Sequence, residues 1–216
     1  MNGVRSLLDG DVTVLHAKLD AHRGLAHVLS PDELMRSSRF RHTLHRDRYV
    51  AGRGLLRQLL AERLDDDPAR IRIVSGEHGK PQLAEQGAIR FNLAHSDGDA
   101  LFAFTEAGDV GIDIERVRTV DCLPLSRSCF SKRERDELLS LDASARLEAF
   151  FEGWVRKEAV IKADGRGMSL ELHSFGVTLR DPPGMIEAPP GNDAAQWRLA
   201  SLEAGPGLRA ALAVRV

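Results

Sequence analysis

The run Val110-Gly111-Ile112-Asp113-Ile114-Glu115 alternates apolar residues with a glycine and two acids at a period of two. As a β-strand it places Val110, Ile112 and Ile114 on one face and Gly111, Asp113 and Glu115 on the other. The two carboxylates then stand side by side, roughly 7 Å apart for a rise of about 3.3 Å per residue. Without a cation between them they repel. Taken alone, such a pair also suits a solvated strand edge.

A second acidic anomaly sharpens the reading. Ala143 to Asp164 contain no proline and end at Gly165, which predicts one long helix with a glycine C-cap. Its apolar stripe runs Leu147, Phe150, Phe151, Trp154 and Ile161, and Glu158 holds the lattice position between the last two. A buried unpaired charge costs several kcal/mol, so such a carboxylate is neutralised, paired or bound to metal. An ion pair with Lys162, one turn on, would account for Glu158 but not for Asp113 and Glu115. If strand and helix face each other, all three acids converge on one hard cation, with Mg²⁺ the expected ion.

Composition narrows the class. A chain of 216 residues, 43% hydrophobic, can bury a substantial core in one large domain or two small lobes. It has no apolar run of membrane-spanning length, and Asp9 and Asp11 interrupt any leader pattern, so a soluble cytoplasmic protein is expected. Cys122 and Cys129 have neither metal-ligand nor redox spacing and read as core thiols. A net charge of -2 gives no global pull toward nucleic acid, so an anionic ligand must be met by local basic groups. Lysine is confined to Lys18, Lys80, Lys132, Lys157 and Lys162, which makes those near the acids conspicuous.

Working outward from the central strand, Val12 to Ala17 is a strand, and Ser30-Pro31-Asp32-Glu33 opens a short helix to about Ser38 with a capping box and proline at the first turn. A longer helix runs from about Leu44 to Leu64 and stops at the solvated turn Asp65-Asp66-Asp67-Pro68. Strands are predicted at Ile71 to Val74, Ala88 to Leu93 and Ala100 to Thr105. Lys80 projects from the irregular loop His78-Gly79-Lys80-Pro81, and Asn92 to Gly98 forms a polar loop carrying His95. After the central strand, Ser131-Lys132-Arg133-Glu134 caps a helix to about Leu141. The Glu158 helix follows, then strands at Ser174 to Arg180, Gln196 to Ser201 and Leu208 to Val216, the first two separated by an uninformative proline-glycine loop.

Strand, short helix, long helix and three strands therefore occur twice. This predicts an α+β fold of two pseudo-symmetric lobes, residues 1–108 and 109–216, each a mainly antiparallel sheet packed on a long helix, with the active site in the cleft between them. The second lobe supplies the acids and the first supplies Lys80 and His95. Trp154 reads as core, and Lys157 as a helix-surface charge or a phosphate contact.

Gly79-Lys80-Pro81, Phe91-Asn92-Leu93-Ala94-His95-Ser96, the central strand, and Phe151-x-x-Trp154-x-x-Lys157-Glu158-x-x-x-Lys162 with Gly165-x-Gly167 together resemble the signature blocks of the 4′-phosphopantetheinyl transferases of the surfactin-synthetase-activating type, in order and near spacing over about residues 30 to 180. The resemblance implies a monomeric enzyme that transfers the phosphopantetheine arm of coenzyme A to a serine of an apo acyl or peptidyl carrier protein, with no nucleic-acid or membrane partner. It implies Mg²⁺ held by Asp113, Glu115 and Glu158, with Glu158 or a metal-bound water as base and Lys162 on phosphate. Arg36, Arg48, Lys80 and His95 match coenzyme A contacts. Two positions depart from the family pattern. Ala94 lacks the usual hydroxyl, and Glu33 replaces a frequent lysine and is expected to repel phosphate. Residues 121 to 135 and 165 to 175, with Arg133 and Arg135, are a candidate carrier face. The acids alone also permit another Mg²⁺-dependent phosphoester enzyme, such as a phosphatase or nuclease, and the blocks permit a non-catalytic binder of coenzyme A or carrier.

Overall fold

The computed structural model describes residues 2–7, 11–85 and 87–216. In chain order the elements are β1 (Asn2–Leu7), β2 (Val12–Lys18), α1 (Pro31–Ser38), α2 (Thr43–Leu64), β3 (Ile73–Ser75), β4 (Pro81–Leu83), β5 (Arg90–Ser96), β6 (Asp99–Thr105) and β7 (Asp109–Arg116). They continue with α3 (Cys122–Cys129), α4 (Lys132–Ser140), α5 (Ala143–Asp164), β8 (Gly176–Val177), β9 (Met185–Glu187), β10 (Trp197–Leu202) and β11 (Leu208–Arg215). One antiparallel sheet has the order β1-β2-β6-β5 and a second the order β10-β11-β7; β3-β4 and β8-β9 are small ribbons.

The layers follow from which faces are apolar. The α2 side chains Leu55, Leu56, Leu59 and Leu60 pack on Leu15, Phe102 and Phe104 of the first sheet. The opposite face of that sheet, with Val12, Val14, Leu101 and Ala103, meets Val110, Ile112, Ile114, Leu212 and Val214 of the second. Helix α5 covers the far side of the second sheet through Val155, Ala159 and Ala163 against Ala211 and Ala213. The result is helix, sheet, sheet, helix, with one 22-residue helix per sheet. Because both faces of β6 are covered, all its residues are buried, which explains its near-continuous apolar sequence. Among the described residues no helix is long and apolar enough to cross a membrane.

Helix ends follow the expected chemistry. Both capping boxes, Ser30 with Glu33 and Ser131 with Glu134, are formed, and Gly165 ends α5 in the left-handed region at φ 85°. Several strands differ from expectation. β5 continues through His95 and Ser96, so the expected polar loop is mostly strand, closed by the two-residue turn Asp97-Gly98 with Asp97 at φ 52°. The strand expected at Ser174 to Arg180 is reduced to Gly176–Val177, because Arg156 takes the carbonyls of Thr178 and Arg180 and Lys157 takes that of Phe175. β3 begins only at Ile73, since Arg57 binds the carbonyl of Ile71. The proline-glycine loop is not featureless, as Met185–Glu187 pairs with β8. Cys122 and Cys129 are free, buried thiols, and burial pushes Cys129 up to about 12.

Candidate active site at the seam of the two sheets

Gly111 sets the geometry of the acids. A Cβ there would lie 2.0 Å from the Ala159 carbonyl oxygen and 2.3 Å from the Ala163 nitrogen, so only glycine lets β7 rest on the α5 main chain. The contact brings the next residue on that face, Asp113, against Lys162. The Lys162 ammonium donates to Asp113 Oδ1 at 2.6 Å and to the Ile112 carbonyl at 3.2 Å. Asp113 Oδ2 is buried with no hydrogen-bond partner. Leaving a buried carboxylate oxygen unmet is costly, and burial pushes Asp113 up to about 6; Lys162 opposes the rise, and Glu158 and Glu115 add to it. Glu158, half-buried on the same side of α5, is also raised by burial, with Lys162 opposing and Glu115 adding. Glu115 Oε2 accepts a bond from Ser96 Oγ at 3.2 Å.

The three acids thus lie within electrostatic reach of one another. Among the described residues no ion pair joins Glu158 to Lys162, which reaches across to the strand instead. Nor are three His, Cys, Asp or Glu side chains gathered there as a ready metal shell. The Lys162 ammonium occupies the cationic position beside Asp113. The donor chemistry nevertheless fits a hard divalent ion: two carboxylates disfavour their charged forms, and Asp113 Oδ2 is an acceptor with no donor.

Beside the acids is a cavity of about 620 Å³ lined by Arg36, Arg48, Tyr49, Arg53 and His95, among others. His95 connects cavity to acids. Its pKa is lowered first by desolvation, then by Lys162, with Glu115 opposing. Arg48 is held by Asp20 through two bonds of 2.8 Å, and the Arg36 guanidinium lies 5.8 Å from the Tyr49 ring centre. Gly79 and Pro81 line the cavity, while Lys80 between them turns inward to donate to the carbonyls of Val110 at 3.0 Å and Ala163 at 3.3 Å. Desolvation lowers the Lys80 pKa to about 8.

The structure revises three sequence readings. Glu33 does not present a bare carboxylate to the cavity, because Arg53 and Arg57 bind it at 2.6 Å and two cations outweigh one anion. Ala94 packs in the core between the sheets, so a hydroxyl at that position would face the interior. Lys157 is neither a surface charge nor exposed to a phosphate: it is fully buried, donating to both Glu134 oxygens and to the Phe175 carbonyl. Trp154 is partly buried, packed against the core and stacked on Phe150. Sequence reasoning missed Arg53 and Tyr49 as cavity residues. Their four-residue spacing places them on one face of α2, where Tyr49 reads in the sequence only as one of a row with Leu56, Leu59, Leu60 and Arg63 along the helix.

Known proteins resemble this chain over most of its length. Residues 109–213 match the family model described as the 4′-phosphopantetheinyl transferase superfamily. The chain is 35% identical to 4′-phosphopantetheinyl transferase HetI of Nostoc sp. (strain PCC 7120), covering 97% of this chain and 90% of that protein. It is 31% identical to 4′-phosphopantetheinyl transferase Sfp of Bacillus subtilis (strain 168), covering 85% and 81%. With 4′-phosphopantetheinyl transferase AcpT of Escherichia coli (strain K12) it shares 36% identity over 56% of this chain and 58% of that protein. With two relatives above 30% identity matched over most of both chains, this protein belongs to the 4′-phosphopantetheinyl transferase superfamily.

Proposed function

We propose that the protein transfers the 4′-phosphopantetheine group of coenzyme A to a serine hydroxyl of an apo acyl or peptidyl carrier protein in a Mg²⁺-dependent reaction. The observation that carries this reading is the buried, unpartnered Asp113 Oδ2 among three mutually repelling acids, with His95 of the arginine-lined cavity within electrostatic reach of Glu115 and Lys162. Asp113, Glu115 and Glu158 would hold the metal. When bound, Mg²⁺ would neutralise the pyrophosphate and stabilise charge building on its oxygens.

The chain's own residues would do the rest. Arg36, Arg48 and His95 would bind the phosphates of coenzyme A, and Lys80 would support the Gly79-Pro81 wall through its two carbonyl bonds. The serine oxygen bonds to the β-phosphorus as the bond to the leaving phosphate breaks, releasing adenosine 3′,5′-bisphosphate. The serine proton must pass to a base, and Glu158, raised by burial, is suited to accept it. Lys162 would meet the phosphate charge, leaving Asp113 for the metal. Exposed Leu125, Met168 and Arg133 mark the proposed carrier face. No described helix is long and apolar enough to cross a membrane, and on the family resemblance we propose that the protein works as a cytoplasmic monomer with no nucleic-acid or membrane partner.

The test incubates protein, coenzyme A, Mg²⁺ and an apo carrier and follows the carrier by intact mass. One added phosphopantetheine is expected with wild type and none with Asp113→Asn, which should keep its thermal stability in chelator. Inorganic phosphate release without carrier modification would instead identify a phosphatase.

A further inference from the structure

The free edge of β7 is held across the seam by side chains of the first sheet. Asn92 Oδ1 accepts the Ile112 N–H at 3.0 Å, and Ser96 Oγ accepts the Arg116 N–H at 3.0 Å. Both pairs are 20 residues apart, so β5 and β7 run parallel at constant offset, with side-chain oxygens replacing a backbone ladder. Ser96 does more than close this edge. Its hydroxyl hydrogen goes to Glu115 Oε2 at 3.2 Å, so one oxygen binds both the main chain after Glu115 and the carboxylate itself.

Ser96 is itself fixed. The following turn grips Arg116 through Asp97 at 2.9 Å and Asp99 at 3.4 Å. Asp99 is anchored by His16 at 2.7 Å and Lys18 at 2.6 Å. The hairpin tip therefore clamps the end of β7 from three directions, and a rotation of the Glu115 carboxylate must break the Ser96 bond.

The geometry points to Ser96 as a positioning residue for Glu115, one that orients its carboxylate for the divalent ion. This rests on the metal-site reading above, and the experiment separates the two. Partners that orient a metal-binding carboxylate change metal affinity by about 10- to 100-fold when removed. Ser96 supplies one fairly long bond, so Ser96→Ala should weaken Mn²⁺ binding by about tenfold. Binding is measured on the full chain without coenzyme A, from the electron paramagnetic resonance signal of free Mn²⁺. Ser96→Thr, which keeps the hydroxyl, should bind as wild type does. The metal dependence of carrier modification should shift in the same proportion for Ser96→Ala, with turnover recovered at saturating metal. Wild-type Mn²⁺ affinity in Ser96→Ala, with affinity lost in Asp113→Asn, would overturn the role of Ser96 and leave the metal site standing. Unchanged affinity in both variants would overturn the metal site itself. A fall in melting temperature in chelator with unchanged Mn²⁺ affinity would make Ser96 purely structural and also overturn the inference.

Discussion

Replacing Lys157 with methionine separates a structural ion pair from a substrate contact. The Lys157 ammonium uses all three donors, on Glu134 Oε1 at 2.9 Å, Glu134 Oε2 at 2.8 Å and the Phe175 carbonyl at 2.6 Å, and both side chains are fully buried. Removing one partner of a buried pair costs about 3 to 5 kcal/mol, since the other charge is left uncompensated. Glu134 keeps two backbone donors, Ser131 at 2.6 Å and Val177 at 2.8 Å, which places the loss near the lower bound, about 3 kcal/mol. At about 2 to 4 °C per kcal/mol for a chain of this size, the melting temperature should fall by roughly 6 to 12 °C. Urea unfolding supplies the free energy directly. Glu134→Gln can still close the capping box without the charge, so adding it to Lys157→Met should restore part of the loss, a coupling that a double-mutant cycle measures. A loss below about 1 kcal/mol, or a Lys157→Met protein of normal stability that no longer modifies carrier, would refute the structural assignment.

Four further outcomes follow from the site and its supports. Asp113 is raised to about 6 in the folded chain from 3.8, so without metal its contribution to stability is present below about 4 and is lost as pH rises through about 6. Divalent binding needs the ionised form and runs the other way: Mn²⁺ affinity, read from the free-ion signal, should fall as pH drops through about 6. Gly111→Ala drives a methyl into the α5 main chain and should destabilise by about 3 kcal/mol or more, seen as a lower urea midpoint. Arg133→Ala with Arg135→Ala should raise KM for an acidic carrier while leaving KM for coenzyme A within about twofold, as read by steady-state kinetics, because the exposed Arg133 and the half-buried Arg135 act mainly on encounter.

What could be read from the sequence was what local rules govern. The Ser30 and Ser131 capping boxes, the proline-free run to Gly165 and the alternation at residues 110–115 each carry their cause within a few residues, and each element is found there. α3 was not anticipated, because Pro124 in its first turn and its short length resemble a linker. The charged side chains whose surroundings the sequence does not show have distant partners. Lys157 meets Glu134 from 23 positions away, Arg57 meets Glu33 from 24, and Lys80 meets Ala163 from 83. A lysine on a helix reads as solvated until another helix is known to cover it. The acids of the candidate site were legible for the opposite reason: Glu158 interrupts an apolar stripe, and the alternation that forms β7 sends Asp113 and Glu115 to the same side. The position of Lys162 on Asp113, by contrast, depends on how strand and helix dock.

The bare Cα of residue 111 has a consequence for how the enzyme can vary. Where strand and helix are spaced by interlocking side chains, every exchange of leucine for valine resets the gap. Here main chain rests on main chain, so the spacing of the Asp113 and Lys162 backbones is set by contact between peptide groups and not by the bulk of interlocking hydrophobic side chains. Interior residues can drift or be redesigned on both sides of the molecule while Asp113 and Lys162 keep their spacing.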